Sequence, residues 1–301
     1  MTRLLPLWRS LLYVPVHVEK FVASAHTRGA DCIQLDLEDS VPPAEKVRAR
    51  ECVVAAARRV RQAGADVVVR INRPLQLAVR DIEASIDADV NGIAVTKVDS
   101  AGHLRLLDEL VGELEVQRGL TVGHTRFIAL IESAAAFLQM TSIARAVPRL
   151  VGMVLGGEDL AAETGMQASA ETLLMPKQQM VLAAHAAGLM PLGFIDSVAG
   201  FTDDAAFRAM VRRSRNFGFM GASCVHPAQV PIVNEAYSPS PDDVARAHRI
   251  VDGYAASQAA GRGAFALDGR MIDAPVVEAA RRLLARHAEI EARAAQRATY
   301  A

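Results

Sequence analysis

The chain has 301 residues, of which 51% are hydrophobic and 22% are charged, and its formal net charge is −1. A chain of this length and hydrophobicity can bury a large core, either as one big α/β domain or as two smaller ones. The near-zero net charge argues against a nucleic-acid-binding face and a polybasic membrane anchor, and no apolar run approaches the roughly 18 residues of a bilayer span, so a small-molecule partner is expected.

Eight short apolar segments, separated by stretches with helical spacing of apolar residues, recur along the chain. The predicted strands are residues 11–15, 32–39, 66–72, 92–98, 126–132, 150–156, 190–196 and 221–227. Eight β/α repeats within about 230 residues are typical of a (β/α)₈ TIM barrel. An open, doubly wound parallel sheet is the alternative, but it would more often show fewer strands and a glycine-rich first turn, which the residues after the first strand lack.

The residues after the eighth strand predict helices that a barrel does not need. Residues 241–254 form an amphipathic pattern, residues 261–269 predict a glycine-rich loop, and residues 275–297 predict a long helix rich in Ala, Arg and Glu. We therefore predict a catalytic barrel domain over residues 1–235 and a C-terminal helical arm or lid over residues 236–301.

Two boundary signals locate helices within the predicted barrel. Pro176 is typical of the first turn of a helix, and Gly188 would end that helix. Asp203 and Asp204 predict the start of another helix, which would stop before Gly218.

Two carboxylates follow neighbouring predicted strands. Glu132 closes the apolar run FIALIE, and Asp159 follows LVGMVL and a Gly-Gly pair. Because parallel strands have their C-terminal ends on one rim, Glu132 and Asp159 are expected to converge there, and such hard oxygen ligands suit Mg²⁺ or Mn²⁺. Alternatively, Glu132 forms a salt bridge at the rim and Asp159 caps a helix.

Further polar residues stand at the ends of the predicted strands. They are Asp36, Glu38, Asp39, Arg70, Asn72, Lys97, Asp196 and His226. Their gathering on one rim favours an active site at that face of the barrel. For Arg70 we expect a role in binding a substrate carboxylate or a developing enolate oxygen, or a structural bridge to Glu38 or Asp39, and these two roles are compatible.

Lys97 and His226 each admit a structural role and a chemical one. A desolvated Lys97 could form a Schiff base, but an ion pair at the rim is the favoured interpretation. His226 is expected to be a hydrogen-bonded strand terminus, and no His or Cys spacing typical of zinc ligands occurs.

Seven segments, in this order, resemble the motifs of a known family. They are RSLLYVP, LDLEDSVPPAEKVRAR, VRIN, ALIES, LGGEDLAAETG, GFMGASCVHPAQVPIVNEAYSPSPDDVARA and LDGRMIDAPVVEAARRLL. On these motifs the chain is identified as similar to the citrate lyase beta subunit-like proteins of the HpcH/HpaI aldolase family, which also includes malyl-CoA and citramalyl-CoA lyases. The resemblance extends over roughly residues 9–284 and implies a TIM barrel that uses Mg²⁺.

The resemblance also implies roles for individual residues. Glu132 of ALIES and Asp159 of GGEDL correspond to the metal ligands, and Glu132 would also contact the substrate. Arg70 of VRIN corresponds to the substrate-binding arginine, and Asp273 of MIDAP corresponds to an acid that donates or accepts a proton. From their position, Asp39 and its neighbour Glu38 are expected to orient Arg70 and metal-bound water, whereas no residue is assigned to the CoA moiety.

The resemblance implies cleavage of a 3-hydroxyacyl-CoA, such as malyl-CoA, citramalyl-CoA or citryl-CoA, into an acyl-CoA and a 2-oxo acid, or formation of that ester from them. Mg²⁺ or Mn²⁺ is the expected cofactor. Two alternatives stay open: a CoA-independent, metal-dependent 2-oxo acid aldolase, and a non-catalytic citrate lyase-type subunit. The three cysteines cannot all pair and show no C-x-x-C spacing, which favours a reducing cytoplasm. A homo-oligomer, trimer or hexamer, is expected, with no nucleic-acid or membrane partner.

Overall fold

The computed structural model describes residues 5–196 and 203–298. Its internal contacts separate the chain into two compact units, Met1–Tyr237 and Ser238–Ala301. No helix in the described part of the chain is both long enough and apolar enough to cross a bilayer.

The first unit is built on an eight-stranded parallel sheet. Its strands are β1 Ser10–Pro15, β2 Cys32–Asp36, β3 Asp66–Ile71, β4 Gly92–Val95, β5 Arg126–Ile131, β6 Leu150–Leu155, β7 Met190–Leu192 and β8 Ala222–Cys224. Each strand pairs with the next from β1 to β7, and β8 pairs with β1. A parallel bridge from Leu192 to Gly221 connects β7 to the start of β8. This order is that of a TIM barrel, so the predicted fold is confirmed and the open-sheet alternative is wrong.

Helices follow the strands along the chain. They are α1 Glu19–Ala25, α2 Lys46–Val60, α3 Leu75–Ser85, α4 Ala101–Gln117, α5 Ala134–Leu138, α6 Met140–Ile143, α7 Gly157–Thr164, α8 Ala170–Ala186, α9 Asp204–Asn216 and α10 Gln229–Ala236. Several begin at a side chain that accepts a hydrogen bond from the first turn, as Ser100 does for α4 and Ser133 for α5. The prediction at Asp203 is confirmed, because its carboxylate accepts from Ala205 and Ala206 at the start of α9.

Two kinds of predicted boundary are wrong, one helix start and several strand ends. Pro176 lies inside α8, which begins six residues earlier behind a capping box formed by Ser169 and Thr172. Several predicted strands also end too late: residues 37–39, 96–98 and 193–196 leave the sheet. The apolar runs continue past the last ladder hydrogen bond because the loops that follow are themselves partly buried, so apolar composition alone does not locate the end of a strand.

The barrel interior is filled by a small apolar cluster, separate from the larger core between sheet and helices. It contains Trp8, Leu11, Cys32, Val68, Ala94, Ile128, Leu130, Val151, Met190 and Leu192. Because side chains alternate along a strand, the residues two places further along face the same side. The side chains that follow Leu11, Val68 and Leu130 on the inward face are therefore those of Tyr13, Arg70 and Glu132. The apolar interior thus gives way to polar residues at the C-terminal rim.

The second unit is a helical hairpin with a small antiparallel ribbon. It comprises α11 Pro241–Ala259, β9 Phe265–Leu267, β10 Arg270–Ile272 and α12 Ala274–Ala298. Its own core joins Ala247, Ile250, Ile272, Val277 and Ala280. The prediction of a plain loop over residues 261–269 is wrong, because Asp268 and Gly269 both have positive φ and connect β9 to β10 in a tight turn. An Asp-Gly pair between two short strands is the usual signal of such a hairpin.

Candidate active site at the barrel rim

A buried ion pair between neighbouring strands anchors the site. Asp36 ends β2 and lies opposite Arg70 of β3 in the parallel register. Arg70 donates from Nε to Asp36 Oδ1 and from Nη2 to Asp36 Oδ2, both at 2.7 Å. Burial alone would raise the pKa of Asp36, but these hydrogen bonds and the charge of Arg70 outweigh it and lower that pKa. Asp36 is therefore ionised and fixes the plane of the guanidinium.

The third nitrogen of Arg70 faces the predicted acids. Arg70 Nη1 lies 2.7 Å from Glu38 Oε2 and 3.3 Å from Asp39 Oδ2. Glu38 is buried, whereas the Asp39 side chain is 66% exposed, so water or a ligand can replace Asp39 on this side. Two nitrogens of Arg70 are held by Asp36, and Nη1, which also lies against Glu38, is the nitrogen that can exchange Asp39 for a ligand oxygen.

Lys97 links Glu38 to Glu132. Its Nζ donates to Glu38 Oε1 at 2.6 Å, and its backbone N–H donates to Glu132 Oε2 at 2.6 Å. The backbone of Lys97 has φ 48°, a left-handed conformation uncommon for a side-chain-bearing residue, and it turns that N–H toward the carboxylate. Burial by itself would lower the pKa of Lys97, but the hydrogen bond and charge of Glu38 raise it. The favoured interpretation of Lys97 as an ion pair is confirmed.

Glu132 lies just beyond β5 and is 8% exposed. Burial raises its pKa to about 7, and the nearby charges of Asp159 and Glu38 act in the same direction, against the hydrogen bond from Lys97. Among the residues that the structure describes, no cation lies within 4.0 Å of the Glu132 carboxylate. A rim salt bridge, the alternative considered for Glu132, is therefore not formed there.

Asp159 lies in the first turn of α7, whose N-cap is Gly156. Its carboxylate is exposed and forms no ion pair or hydrogen bond with the described residues, so the helix-capping alternative is not seen. The positive end of the α7 dipole favours an anionic side chain at this position. The negative charge of Asp159 contributes to the raised pKa of Glu132, as expected of two carboxylates on one rim of the barrel.

The donor set fits a magnesium ion. In the described residues, no group of three or more His, Cys, Asp or Glu side chains is arranged around one point. Glu132 and Asp159 are two hard oxygen donors that have no cationic partner among the described residues, and Glu132 is buried at a cost that a divalent cation would offset. Mg²⁺ is commonly held by one or two carboxylates with water and substrate completing the octahedron, so two protein ligands are sufficient.

Two members of the site are not predicted from the sequence. The position of Asp36 at a strand end does not by itself indicate its role, although it is the main partner of Arg70. Tyr13 of β1 lies under Arg70, whose guanidinium carbon is 4.7 Å from the ring centroid. Burial raises the pKa of the Tyr13 hydroxyl, so it stays protonated. The alternation of side chains along a strand could have predicted both residues. Tyr13 lies two positions after Leu11, and Asp36 lies four positions after Cys32, so both face the barrel interior like these apolar residues.

Other predicted rim residues have structural contacts. Asn72 donates from Nδ2 to the Leu37 carbonyl at 2.7 Å and to Asp81 Oδ2 at 2.6 Å, which ties the loop after β2 to α3. His226 accepts a hydrogen bond from the Ala228 backbone, in keeping with a terminus role.

Asp273 belongs to the second unit, directly before α12. Its carboxylate accepts a hydrogen bond from the Val276 backbone at 3.4 Å, and its carbonyl accepts one from Val277 at 3.1 Å. This geometry is that of a helix N-cap. A role of Asp273 in proton transfer stays a prediction.

A parallel barrel with an acidic, arginine-bearing C-terminal rim defines the protein as a TIM-barrel enzyme by its architecture. The sequence pattern of the HpcH/HpaI aldolase/citrate lyase family matches residues 9–227. The chain belongs to this family, and the prediction of a carbon–carbon lyase is confirmed.

Individual relatives cover nearly the whole chain. Citrate lyase subunit beta of Leuconostoc mesenteroides subsp. cremoris is 31% identical over 279 residues, and the match covers 92% of both chains. An L-malyl-CoA/beta-methylmalyl-CoA lyase of Cereibacter sphaeroides is 34% identical and also covers 92% of both chains. A (3S)-malyl-CoA thioesterase of the same species is 33% identical, covering 95% of this chain and 96% of its own.

The crystal structure of the protein CitE from Mycobacterium tuberculosis, in complex with magnesium, acetoacetate and coenzyme A, superimposes with a TM-score of 0.72. It is 32% identical and covers 93% of this chain and 97% of its own. The predicted association of the family with Mg²⁺ and coenzyme A is confirmed by this structure.

Proposed function

We propose that the protein is a Mg²⁺-dependent lyase that cleaves a 3-hydroxyacyl-CoA into an acyl-CoA and a 2-oxo acid, or forms the ester from these two compounds. The observation that carries this proposal is the charge arrangement at the rim. Arg70 and Lys97 neutralise Asp36 and Glu38, whereas Glu132 and Asp159 have no cation within 4.0 Å among the described residues. Two unpaired carboxylates beside a fixed arginine suit a divalent ion and an anionic ligand.

Each residue then has a stated task. Glu132 and Asp159 would hold the magnesium ion, which when bound would polarise the carbonyl of the 2-oxo acid. Arg70 presents Nη1 to a ligand oxygen and stabilises the negative charge that develops there. Asp36 and Tyr13 hold the guanidinium in place, and the network of Lys97 and Glu38 orients both Arg70 and Glu132.

The cleavage direction requires two proton movements. The hydroxyl proton of the 3-hydroxyacyl-CoA passes to water, and the oxygen becomes the carbonyl oxygen of the 2-oxo acid. The adjacent carbon–carbon bond breaks, and its electron pair forms the enolate of the acyl-CoA. A proton must then reach the α-carbon, and we assign its delivery to Asp273 on the basis of the family resemblance. The condensation direction uses the same groups in reverse.

A cavity near the first strand of the barrel favours a CoA ester over a free oxo acid as the ligand. It has a volume of about 360 Å³ and opens beside β1 and α1, where Lys20, Phe21 and Arg28 line it. The Phe21 side chain is half-exposed, and neither basic residue has an ion pair with the described residues. Basic side chains suit phosphates and an exposed ring suits a stacked base, so this cavity can take the nucleotide part of coenzyme A.

The deciding experiment incubates the purified protein with malyl-CoA, citramalyl-CoA or citryl-CoA, with Mg²⁺ and with excess EDTA. A lyase releases a 2-oxo acid and an acyl-CoA in equal amounts and loses activity with EDTA. Glu132→Gln and Asp159→Asn should abolish both turnover and Mg²⁺ binding in calorimetry, with the thermal unfolding transition retained. A CoA-independent aldolase would instead process free oxo acids and ignore all three esters.

A second outcome would favour a different reaction. Because one relative is a malyl-CoA thioesterase, the same assay should follow free thiol. Release of free CoA and an intact hydroxy acid, without an oxo acid, would replace carbon–carbon cleavage by thioester hydrolysis. No turnover of any ester, with Mg²⁺ binding unimpaired, would favour the non-catalytic subunit.

A further inference from the structure

A cavity next to the candidate active site contains a buried cation that the proposed function does not use. The cavity has a volume of about 180 Å³ and lies at the C-terminal ends of β6, β7 and β8. Most of its wall is apolar, formed by Leu173, Met180, Leu192, Phe194 and Phe219. Lys177 of α8 also lines it and is only 6% exposed.

The ammonium group of Lys177 is poorly compensated. Its Nζ donates one hydrogen bond, to the Asp196 backbone carbonyl at 2.8 Å, and it forms no ion pair within 4.0 Å with the described residues. Residues 197–202, which follow directly, contain no acidic side chain. An ammonium group has three donors, so two remain available to a ligand.

Two acids at the cavity, Glu158 and Asp196, attract the Lys177 charge without cancelling the cost of its burial. Burial lowers the pKa of Lys177 to about 8, against the opposing influence of Asp196 and Glu158. A long basic side chain normally extends its head to water, so holding this one in an apolar cavity needs another reason.

The cavity adjoins the proposed ligand site on two sides. Gly156 lines it, and a Cβ placed on Gly156 would lie 2.5 Å from Cγ of Glu132. Tyr13 lines it as well and carries Arg70 over its ring. A ligand held between Glu132 and Arg70 can therefore extend into this cavity, where Lys177 is the cationic side chain and Glu158 and Asp196 are the acidic ones.

We propose that Lys177 binds a second carboxylate of the ligand, so that the 2-oxo acid half of the substrate is a dicarboxylic acid rather than a monocarboxylic one. The inference rests on the proposed function and narrows its substrate class. A mostly apolar wall matches a short methylene chain, and a Lys177 ammonium group without an ion pair within 4.0 Å among the described residues matches a carboxylate at the end of that chain, in spite of the nearby Glu158 and Asp196. Lys177 is then a specificity-determining residue that lies outside the chemistry itself.

The test is calorimetric binding of pyruvate, oxaloacetate and 2-oxoglutarate to the full-length protein in the presence of Mg²⁺. We expect at least one of the dicarboxylates to bind the wild type about tenfold or more tightly than pyruvate, since one charge-assisted hydrogen bond in a dry site is of that order. Lys177→Met should remove this advantage and leave pyruvate binding within about twofold. Lys177→Arg, which keeps the charge, should retain a measurable part of the preference.

Met180→Leu is the matched control, because it alters the wall of the same cavity without changing its charge, and it should preserve the ranking of the three acids. Equal binding of all three acids to the wild type would overturn the proposal, as would a uniform loss of affinity in Lys177→Met. Pyruvate binding to the wild type distinguishes a failure of the proposed role of Lys177 from a failure of the proposed lyase function. If only pyruvate binds, the role of Lys177 is wrong and the oxo acid site stands; if no acid binds, the proposed function fails as well.

Discussion

At the scale of single residues, the site depends on how Arg70 is held. Two of its nitrogens are fixed by Asp36 and the ring of Tyr13 lies beneath it, so the guanidinium cannot rotate toward a ligand. Only a planar group with several donors can contact Asp36 on two points and still offer a third nitrogen outward. Lysine has the same charge and lacks that geometry.

We therefore expect Arg70→Lys to lose about 2–4 kcal/mol of transition-state stabilisation, or roughly 30- to 1000-fold in kcat/KM. Initial rates of oxo acid release measure it. Arg73→Lys is the control, because Arg73 follows the same strand and pairs with Asp99 at 2.6 Å without contacting Asp36, Glu38 or Glu132. A loss below about threefold in Arg70→Lys would show that the third nitrogen contacts no reacting oxygen.

At the scale of elements, the turn from β6 into α7 determines where both candidate metal ligands lie. Gly156 leaves room for the Glu132 side chain, and the next turn of chain carries Asp159. A methyl group at Gly156 would approach Cγ of Glu132 to 2.5 Å, in the middle of that side chain. A methyl group at Gly157 would instead approach the end of the Leu173 side chain, with the two terminal methyls at 2.8 and 3.3 Å, and a rotamer change can relieve that contact.

Gly156→Ala should consequently displace Glu132 and weaken Mg²⁺ binding by about tenfold or more, which calorimetry can measure. Gly157→Ala, one residue away in the same turn, should change Mg²⁺ affinity by less than about threefold, with circular dichroism confirming that both variants fold. Equal affinities in the two variants would mean that Glu132 does not bind the ion.

The start of α12 presents a second question at this scale, since Asp273 forms a helix cap and is also the proposed proton donor. Asparagine caps a helix nearly as well as aspartate but cannot carry the proton. Asp273→Asn should keep the melting temperature and the binding of Mg²⁺ and oxo acid, and it should abolish deuterium exchange at the α-carbon of the acyl-CoA. Exchange at the wild-type rate would leave the cap as the function of Asp273.

At the scale of the whole molecule, the buried Lys177 affects the stability of the barrel. Its pKa is about 8 in the folded protein, against 10.5 for an ordinary lysine. Between these values the folded state releases the proton while the unfolded state retains it, so the unfolded state binds more protons and stability rises with pH. Below about pH 8 both states are protonated and the full cost of the buried charge, on the order of 1–3 kcal/mol, is present.

Lys177→Met should thus be more stable than the wild type at pH 7 by about 1–3 kcal/mol, and the difference should shrink as the pH approaches 10. Urea unfolding of both proteins at several pH values between 7 and 10, with EDTA present, measures the two free energies of unfolding. Parallel stability curves over that range would contradict a lowered pKa of Lys177. The comparison within each pH cancels the contributions of other titrating groups that the two proteins share.

The amino-acid sequence by itself determined the barrel, because eight apolar segments alternating with helical spacing leave few other folds, and it placed Glu132, Asp159 and Arg70 at one rim through the shared direction of parallel strands. It also located the start of α9 at Asp203, where the cap is a local interaction. Only the tertiary structure decided which side chains pair. Asp36 forms an ion pair with Arg70, and Lys97 contacts both Glu38 and Glu132. Lys177 of α8 lies in a cavity at the ends of the strands. These contacts join residues 30 to 60 or so positions apart, or depend on how deeply a helix is buried. Local amino-acid composition cannot predict such long-range contacts, because strand register and side-chain packing determine them.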